Sequence, residues 1–226
     1  MLALFYGLSG QFSLGLLGLR LEETLAGAAA GVLVAYFVFP VRTGAAIRGS
    51  ITGCLKDLTS ILAAVDEPDT DSDQLAGAAR DLDRKLQNLR KVARPLLAEA
   101  LVGRGSRDPH AWLQRMTELS YYGRRLTRLD LDWDKLPAEL RRNTKEASSR
   151  LQHNLNRLAA SLEDDPQPDT GKYLAAEHVL EDLDEVLRRC WKTDDRIPTE
   201  QLQQVTVYAH LLHRIHQAFK SLKNTL

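Results

Sequence analysis

The chain has 226 residues, room for one domain of ordinary size plus a membrane anchor but too few for two large domains beside a membrane region. Its 30 basic and 30 acidic residues cancel, so it lacks the positive surplus that displaces counterions from nucleic acid, and no nucleic-acid partner is expected. Its two cysteines, Cys54 and Cys190, stand far apart with no Cys-x-x-Cys or Cys/His ligand spacing, which excludes a disulfide framework or zinc cluster and fits a reduced, cytoplasmic setting.

The even balance hides a division along the chain. Met1 to Leu19 carries no charged side chain, and only Arg20, Glu22 and Glu23 are charged before Arg42. Two solvents are implied, a membrane region over 1–42 and a helical domain over 43–226.

The first stretch, MLALFYGLSGQFSLGLLGL, is interrupted by Gly7, Gly10, Gly15 and Gly18 together with Ser9, Gln11 and Ser13. Glycine weakens a helix and polar residues favour a turn, so a partial hydrophobic hairpin is expected. In this reading residues 1–8 are the last turns of a membrane helix, 9–13 a non-cytoplasmic corner, and 14–23 a short interfacial segment. The chain then opens within a membrane helix.

Residues 24–41, TLAGAAAGVLVAYFVFPV, are eighteen in a row without charge. At 1.5 Å per residue they make about 27 Å of helix, close to the hydrocarbon thickness of a bilayer. Arg20, Glu22 and Glu23 precede the run, Tyr36 and Phe37 sit in its second half, and Arg42, Arg48 and Lys56 follow it. Positive charge after the span places the C-terminal side in the cytoplasm. A cleavable signal peptide would carry its basic residues before the apolar run, the reverse of the order here. Gly27 and Gly31 stand one turn apart in a small-xxx-small pattern, through which a second membrane helix can approach closely. Ionisable groups at a membrane helix end either anchor it at the interface or work in gating and proton coupling, which makes Arg20, Glu22 and Glu23 the candidates for such roles.

The run from Arg20 through Glu22, Glu23, Thr24 and Gly27 into GVLVAYFVFP, ending at Pro40 and Arg42, resembles the last membrane helix of the fusaric acid resistance, or aromatic acid exporter, family. The preceding FYGLSGQFS is similar to that family's corner between its last two spans. The resemblance covers about the first forty-five residues and implies a helix that closes a bundle of spans and leads into a helical cytoplasmic region. It implies a transporter-like, efflux-permease part for small aromatic or organic anions in the inner (plasma) membrane. The earlier spans of the family are missing, so the resemblance also implies further membrane helices or subunits, with a homo-oligomer expected.

After Arg42 the pattern becomes amphipathic helices separated by acidic, proline-containing linkers around Pro68 and around Pro166 and Pro168. Leu75, Ala79, Leu82, Leu86, Leu89, Ala93, Leu96 and Ala100 mark one apolar stripe. Val205, Tyr208, Leu212, Ile215, Phe219, Leu222 and Leu226 mark a coiled-coil-like seam. Shorter seams run through Trp112, Met116 and Leu119; from Leu136 to Leu162; and from Ala176 to Cys190. Asp108 before Pro109, and Pro137 with Glu139, signal helix starts. The fold class is all-α, an antiparallel bundle of about six helices. The long seams can be satisfied within one chain or between chains, which leaves a membrane-tethered interaction module as the alternative function.

Bond-making chemistry has no signature: there is no phosphate loop, nucleophile elbow or catalytic constellation, and no cofactor is called for. His210, His213 and His216 share an arc of the last helix but have no acidic ligand near them in sequence, so they read as a polar border to the seam. Asp130, Asp132 and Asp134 lack the glycine and closing glutamate of a calcium loop and read as a helix-capping loop. The clusters Arg124, Arg125, Arg128 and Arg141, Arg142, Lys145 read as solvated faces.

Overall fold

The structure, a computed structural model, describes residues 14–67, 70–101, 109–163, 172–193 and 197–225; within its helices the side chains of 14, 16–17, 35–43, 95–96, 98–101, 109 and 193 are left aside. Six α-helices are described: α1 Leu14–Val65, α2 Ser72–Leu101, α3 Pro109–Leu126, α4 Ala138–Ser161, α5 Glu177–Thr193 and α6 Thr199–Thr225. One 3-10 helix, Trp133–Lys135, lies between α3 and α4, and among the described residues there is no strand. The all-α class follows directly. The expected helix end at 1–8, the expected corner at 9–13 and the proline-containing parts of both acidic linkers lie outside the described residues.

The chain divides into two units, 1–45 and 46–226. In the first, residues 14–23 differ from expectation. They are not a separate interfacial segment but the opening turns of α1. Gly15 and Gly18 each cost a helix about 1 kcal/mol relative to alanine, and the leucines between them are good helix formers, so the ladder is weakened without ending. Pro40 also falls inside α1. It withdraws the N–H that the Tyr36 carbonyl would otherwise accept and crowds that carbonyl with its ring, a cost of about 3 kcal/mol that the rest of the helix carries.

In the second unit, α1 turns one apolar face to the other helices. Ile47, Ile51, Cys54, Leu55, Leu58, Ile61, Leu62 and Val65 recur at steps of three and four and are all buried. Asp57 of α1 meets Lys85 of α2 at 2.6 Å, and Thr52 donates to the Ala159 carbonyl of α4 at 3.3 Å. α3 packs against both α1 and α2 through Gly123, where a Cβ would stand 2.8 Å from Leu58 Cδ1 and 3.1 Å from Leu82 Cδ2. Glycine is there because the helices meet too closely for a side chain.

Leu96, Ala100 and Leu226 of the expected seams lie outside the described side chains, and Ala79 is half-buried; the other seam positions of α2 and α6 close within the chain. Leu75, Leu82, Leu86, Leu89 and Ala93 of α2 are buried, as are Val205, Tyr208, Leu212, Ile215, Phe219 and Leu222 of α6. α6 packs on α3, α4 and α5, and α4 packs on α5. Pro109 opens α3 as its missing N–H suggests, while Pro137 stands one place earlier as the N-cap of α4, its carbonyl accepting from Arg141 at 2.9 Å.

Before α5 the chain runs without regular structure over 172–176, held by a side chain acting as a strand would. Buried Asn154 of α4 donates through Nδ2 to the Leu174 carbonyl at 2.9 Å, and its Oδ1 accepts from the Leu174 N–H at 2.8 Å. Arg150 adds a donor to the Ala175 carbonyl at 2.6 Å. Asn154→Leu removes both amide bonds while keeping similar bulk, and a loss of about 2 kcal/mol is expected from two hydrogen bonds at a buried site. A lower urea midpoint at constant slope, with faster hydrogen exchange at the Leu174 amide, is the expected result; an unmoved midpoint would show that the 172–176 segment docks without Asn154.

Candidate functional site

The candidates named from sequence all lie on α1 within the first unit. Arg20 and Glu23, three residues apart, are brought together: Arg20 Nη1 stands 3.0 Å from Glu23 Oε2, both side chains more than half exposed. Glu22 is exposed one position away on a different face. Thr24 folds its hydroxyl back onto the Arg20 carbonyl at 2.8 Å, so a polar group that would meet an apolar medium is already satisfied inside the helix. A Cβ placed on Gly27 or Gly31 would meet nothing within 4 Å among the described residues, so the small-residue face is open.

From Leu25 to Val34 every side chain is apolar and exposed. Leu19, Leu21, Leu25, Val32, Leu33 and Val34 are each 54 to 68% exposed. At 100° per residue they cover an arc of about 220°, and the remaining 140° or so carries Arg20, Thr24, Gly27 and Gly31. An amphipathic helix would divide into a wet face and a dry one; the stretch from Leu25 to Val34 does not. Among the described residues no helix is long and apolar enough to cross a membrane, and the expected span 24–41 runs from 35 onward through side chains that are not described.

At the other end of α1 a polar knot ties three later elements to it. Trp133 Nε1, from the 3-10 helix, donates to the Val65 carbonyl at 3.0 Å. Tyr208 of α6 donates its hydroxyl to Asp66 Oδ1 at 2.6 Å, and Gln152 of α4 donates to Asp66 Oδ2 at 3.0 Å. The Trp133 and Tyr208 rings meet edge to face at 5.9 Å. Burial pushes the Asp66 carboxyl above its ordinary 3.8, against the hydrogen bonds it accepts, and burial together with the Asp66 charge pushes the Tyr208 phenol well above its usual range. Sequence reasoning placed Asp66 in an acidic linker and Tyr208 in an apolar seam. No spacing could have joined them, because they are 142 residues apart.

The histidines of α6 are not isolated from acids as their sequence neighbours suggested. α5 supplies Asp184, 3.6 Å from His213 Nε2, and Glu177, 3.3 Å from His216 Nε2. Glu177 also takes Lys220 at 3.1 Å; its own backbone N–H, Lys220 and the nearby His216 draw its carboxyl down to about 2. His213 and His216 each have their own acid, His210 is exposed, and among the described residues no three His, Cys, Asp or Glu side chains converge as metal ligands would. Asp132 does cap: its Oδ1 accepts from the Asp134 N–H at 3.2 Å, and Lys135 closes on Oδ2 at 2.7 Å. Arg124 pairs with Asp83 at 3.3 Å and Arg141 with Asp134 at 3.4 Å, while Arg125, Arg128 and Arg142 are exposed.

A half-open cleft of about 420 Å³ lies over Trp133, with Thr70, Ser72, Thr127 and Arg128 on its walls. Glu67 and Asp130 also line it, so its one cation stands among acids and the cleft favours no charge class.

Comparison with protein-family models, with curated proteins and with solved structures returns no match.

The Asp66 knot makes stability depend on pH with a definite sign. The folded carboxyl holds its proton to higher pH than the unfolded one, so the folded chain binds more protons above pH 3.8 and stability falls as pH rises through the folded value. Asp66→Asn keeps an acceptor for Tyr208 and is expected to flatten that part of the profile. Asp66→Ala leaves the buried Tyr208 hydroxyl unpaired, at a cost of about 2 kcal/mol. Denaturation of the three proteins from pH 4 to 8 checks this; the same slope in Asp66→Asn as in the parent would remove Asp66 as its origin.

Proposed function

We propose that this chain is part of a membrane-embedded, transporter-like protein that exports small aromatic or organic anions. In this proposal residues 24–41 cross the inner membrane and the unit 46–226 is a helical domain on its cytoplasmic side. The observation that carries the membrane assignment is the α1 stretch from Leu25 to Val34, exposed throughout and without a polar side chain on any face, a surface that a bilayer or neighbouring membrane helices would cover. The open face at Gly27 and Gly31 supports neighbouring helices over lipid alone. Export is supported by the resemblance of Arg20 to Arg42 to the closing helix of the aromatic acid exporter family. Arg42, Arg48 and Lys56 after the apolar run support the cytoplasmic assignment of the bundle.

Within this proposal Arg20 and Glu23 form the polar collar of the span. Their ion pair neutralises both charges at the interface, and Glu23 is the group whose protonation would be coupled to export if either does more than anchor.

Cells lacking the protein are expected to accumulate small aromatic acids and to become more sensitive to them. The complete protein should restore export and Val32→Asp with Leu33→Asp should not, since carboxylates in mid-span oppose insertion by several kcal/mol. Glu23→Gln separates the two roles of the collar, leaving export unchanged if Glu23 only anchors. Unchanged accumulation of every such acid in the deletion strain would contradict export and leave the membrane-tethered interaction module in its place.

A further inference from the structure

The solvent side of α2 carries charge that the packing of the bundle does not use. From Arg84 to Arg94 the sequence RKLQNLRKVAR has five cations and no acid. Lys85 turns inward to Asp57, and Arg90 reaches Thr117 of α3 at 3.2 Å. Arg84, Lys91 and Arg94, with Arg80 one turn earlier, are exposed. At 100° per residue these four fall within an arc of about 80° and extend along about 21 Å of helix, opposite the buried Leu82, Leu86, Leu89 and Ala93.

The bundle gives little reason for this arrangement. Cations suit the negative end of a helix only within its last turn, and Arg94 is already about two turns short of Leu101. Like charges one turn apart weaken a helix, and among the described residues of α2 the acid that pairs with the stripe is Asp81, 3.1 Å from Arg84 and itself exposed. A row of long cationic side chains on a rigid, apolar-backed helix matches a plane of negative charge.

We propose that the Arg80–Arg84–Lys91–Arg94 stripe of α2 is a binding face for anionic phospholipid headgroups. The choice of lipid over other polyanions rests on the membrane assignment above, which puts the chain beside a phosphate-bearing surface; a net charge of zero over the whole chain gives it no general attraction to nucleic acid.

The test uses the full chain with a polarity-sensitive fluorophore on Gln87→Cys, in the middle of the stripe, in a Cys190→Ser background. Buried Cys54, its thiol pushed up to about 12 by desolvation, stays unlabelled. The chain is reconstituted with phosphatidylcholine vesicles and with vesicles containing about 30% phosphatidylglycerol, where headgroup attraction for basic residues is strong. A blue shift only in the anionic vesicles is expected, reversed near 1 M salt, where screening falls to about 3 Å. Neutralising each of the four residues to glutamine should lower the docked-to-undocked ratio about fivefold. Circular dichroism melts matching the parent show that the variants still fold.

An identical spectrum in both lipids, or a fourfold glutamine variant that behaves as its parent, overturns the proposal. So does a shift produced by an RNA duplex at physiological salt but not by the anionic vesicles. Co-flotation separates this from the anchor: a chain that floats with neutral vesicles but shows no anionic shift has lost the stripe alone. One that leaves neutral vesicles and binds anionic ones in a salt-dependent way has lost the anchor and kept the stripe.

Discussion

Apolar surface in water costs about 25 cal/mol per Å², and a helix that is apolar on all faces cannot hide it by turning one side toward a core. That constraint governs the first half of α1. Leu19, Leu21, Leu25, Val32, Leu33 and Val34 are each more than half exposed, and from Leu25 to Val34 the helix has no polar side chain to make a wet face. The same residues would be ordinary inside a protein, where another layer would cover them. Their role follows from what covers them, and a hydrocarbon phase accepts such a helix because its backbone groups bond within it, the Tyr36 carbonyl opposite Pro40 apart.

The second half of α1 meets the opposite solution. Its apolar positions narrow to one broad face and its neighbours close over it, so that Leu55, Ile61 and Leu62 are fully buried. Where the helix ends, the Asp66 carboxylate, the Val65 carbonyl, Tyr208, Gln152 and Trp133 fix the register of α4, α6 and the 3-10 turn on that end. Buried polar groups of this kind are costly unless every partner is present, which makes the knot a device for specifying one packing over its neighbours. The seams of α2 and α6 are consumed by this packing. An interaction module would have to use surface other than these buried positions.

The helices were legible because their signal is local: apolar side chains at steps of three and four, proline at a first turn and an aspartate ahead of a short helix all act within a few residues. What joined the helices was not legible. Asp66 finds Tyr208 and Gln152 across 142 and 86 residues, and Trp133 finds Val65 across 68. The acids beside His213 and His216 come from α5, so reading only the histidines' own helix missed them. Residues 14–23 misled for the opposite reason. Gly15 and Gly18 are genuine local signals, yet their cost is small beside a helix that continues for 52 residues. Of the candidate site, the pairing of Arg20 with Glu23 was within reach of sequence, being one turn apart, whereas the open face at Gly27 and Gly31 needed the structure.

The central claim is that the stretch following Glu23 resides in hydrocarbon. It is tested most directly by expressing the intact chain without detergent and washing the membrane fraction with alkaline carbonate. The chain should remain with the membranes after the wash, as a helix buried in lipid does. Recovery in the supernatant as a compact, monodisperse particle would contradict the account, since it would mean that the apolar faces of α1 had found protein to cover them.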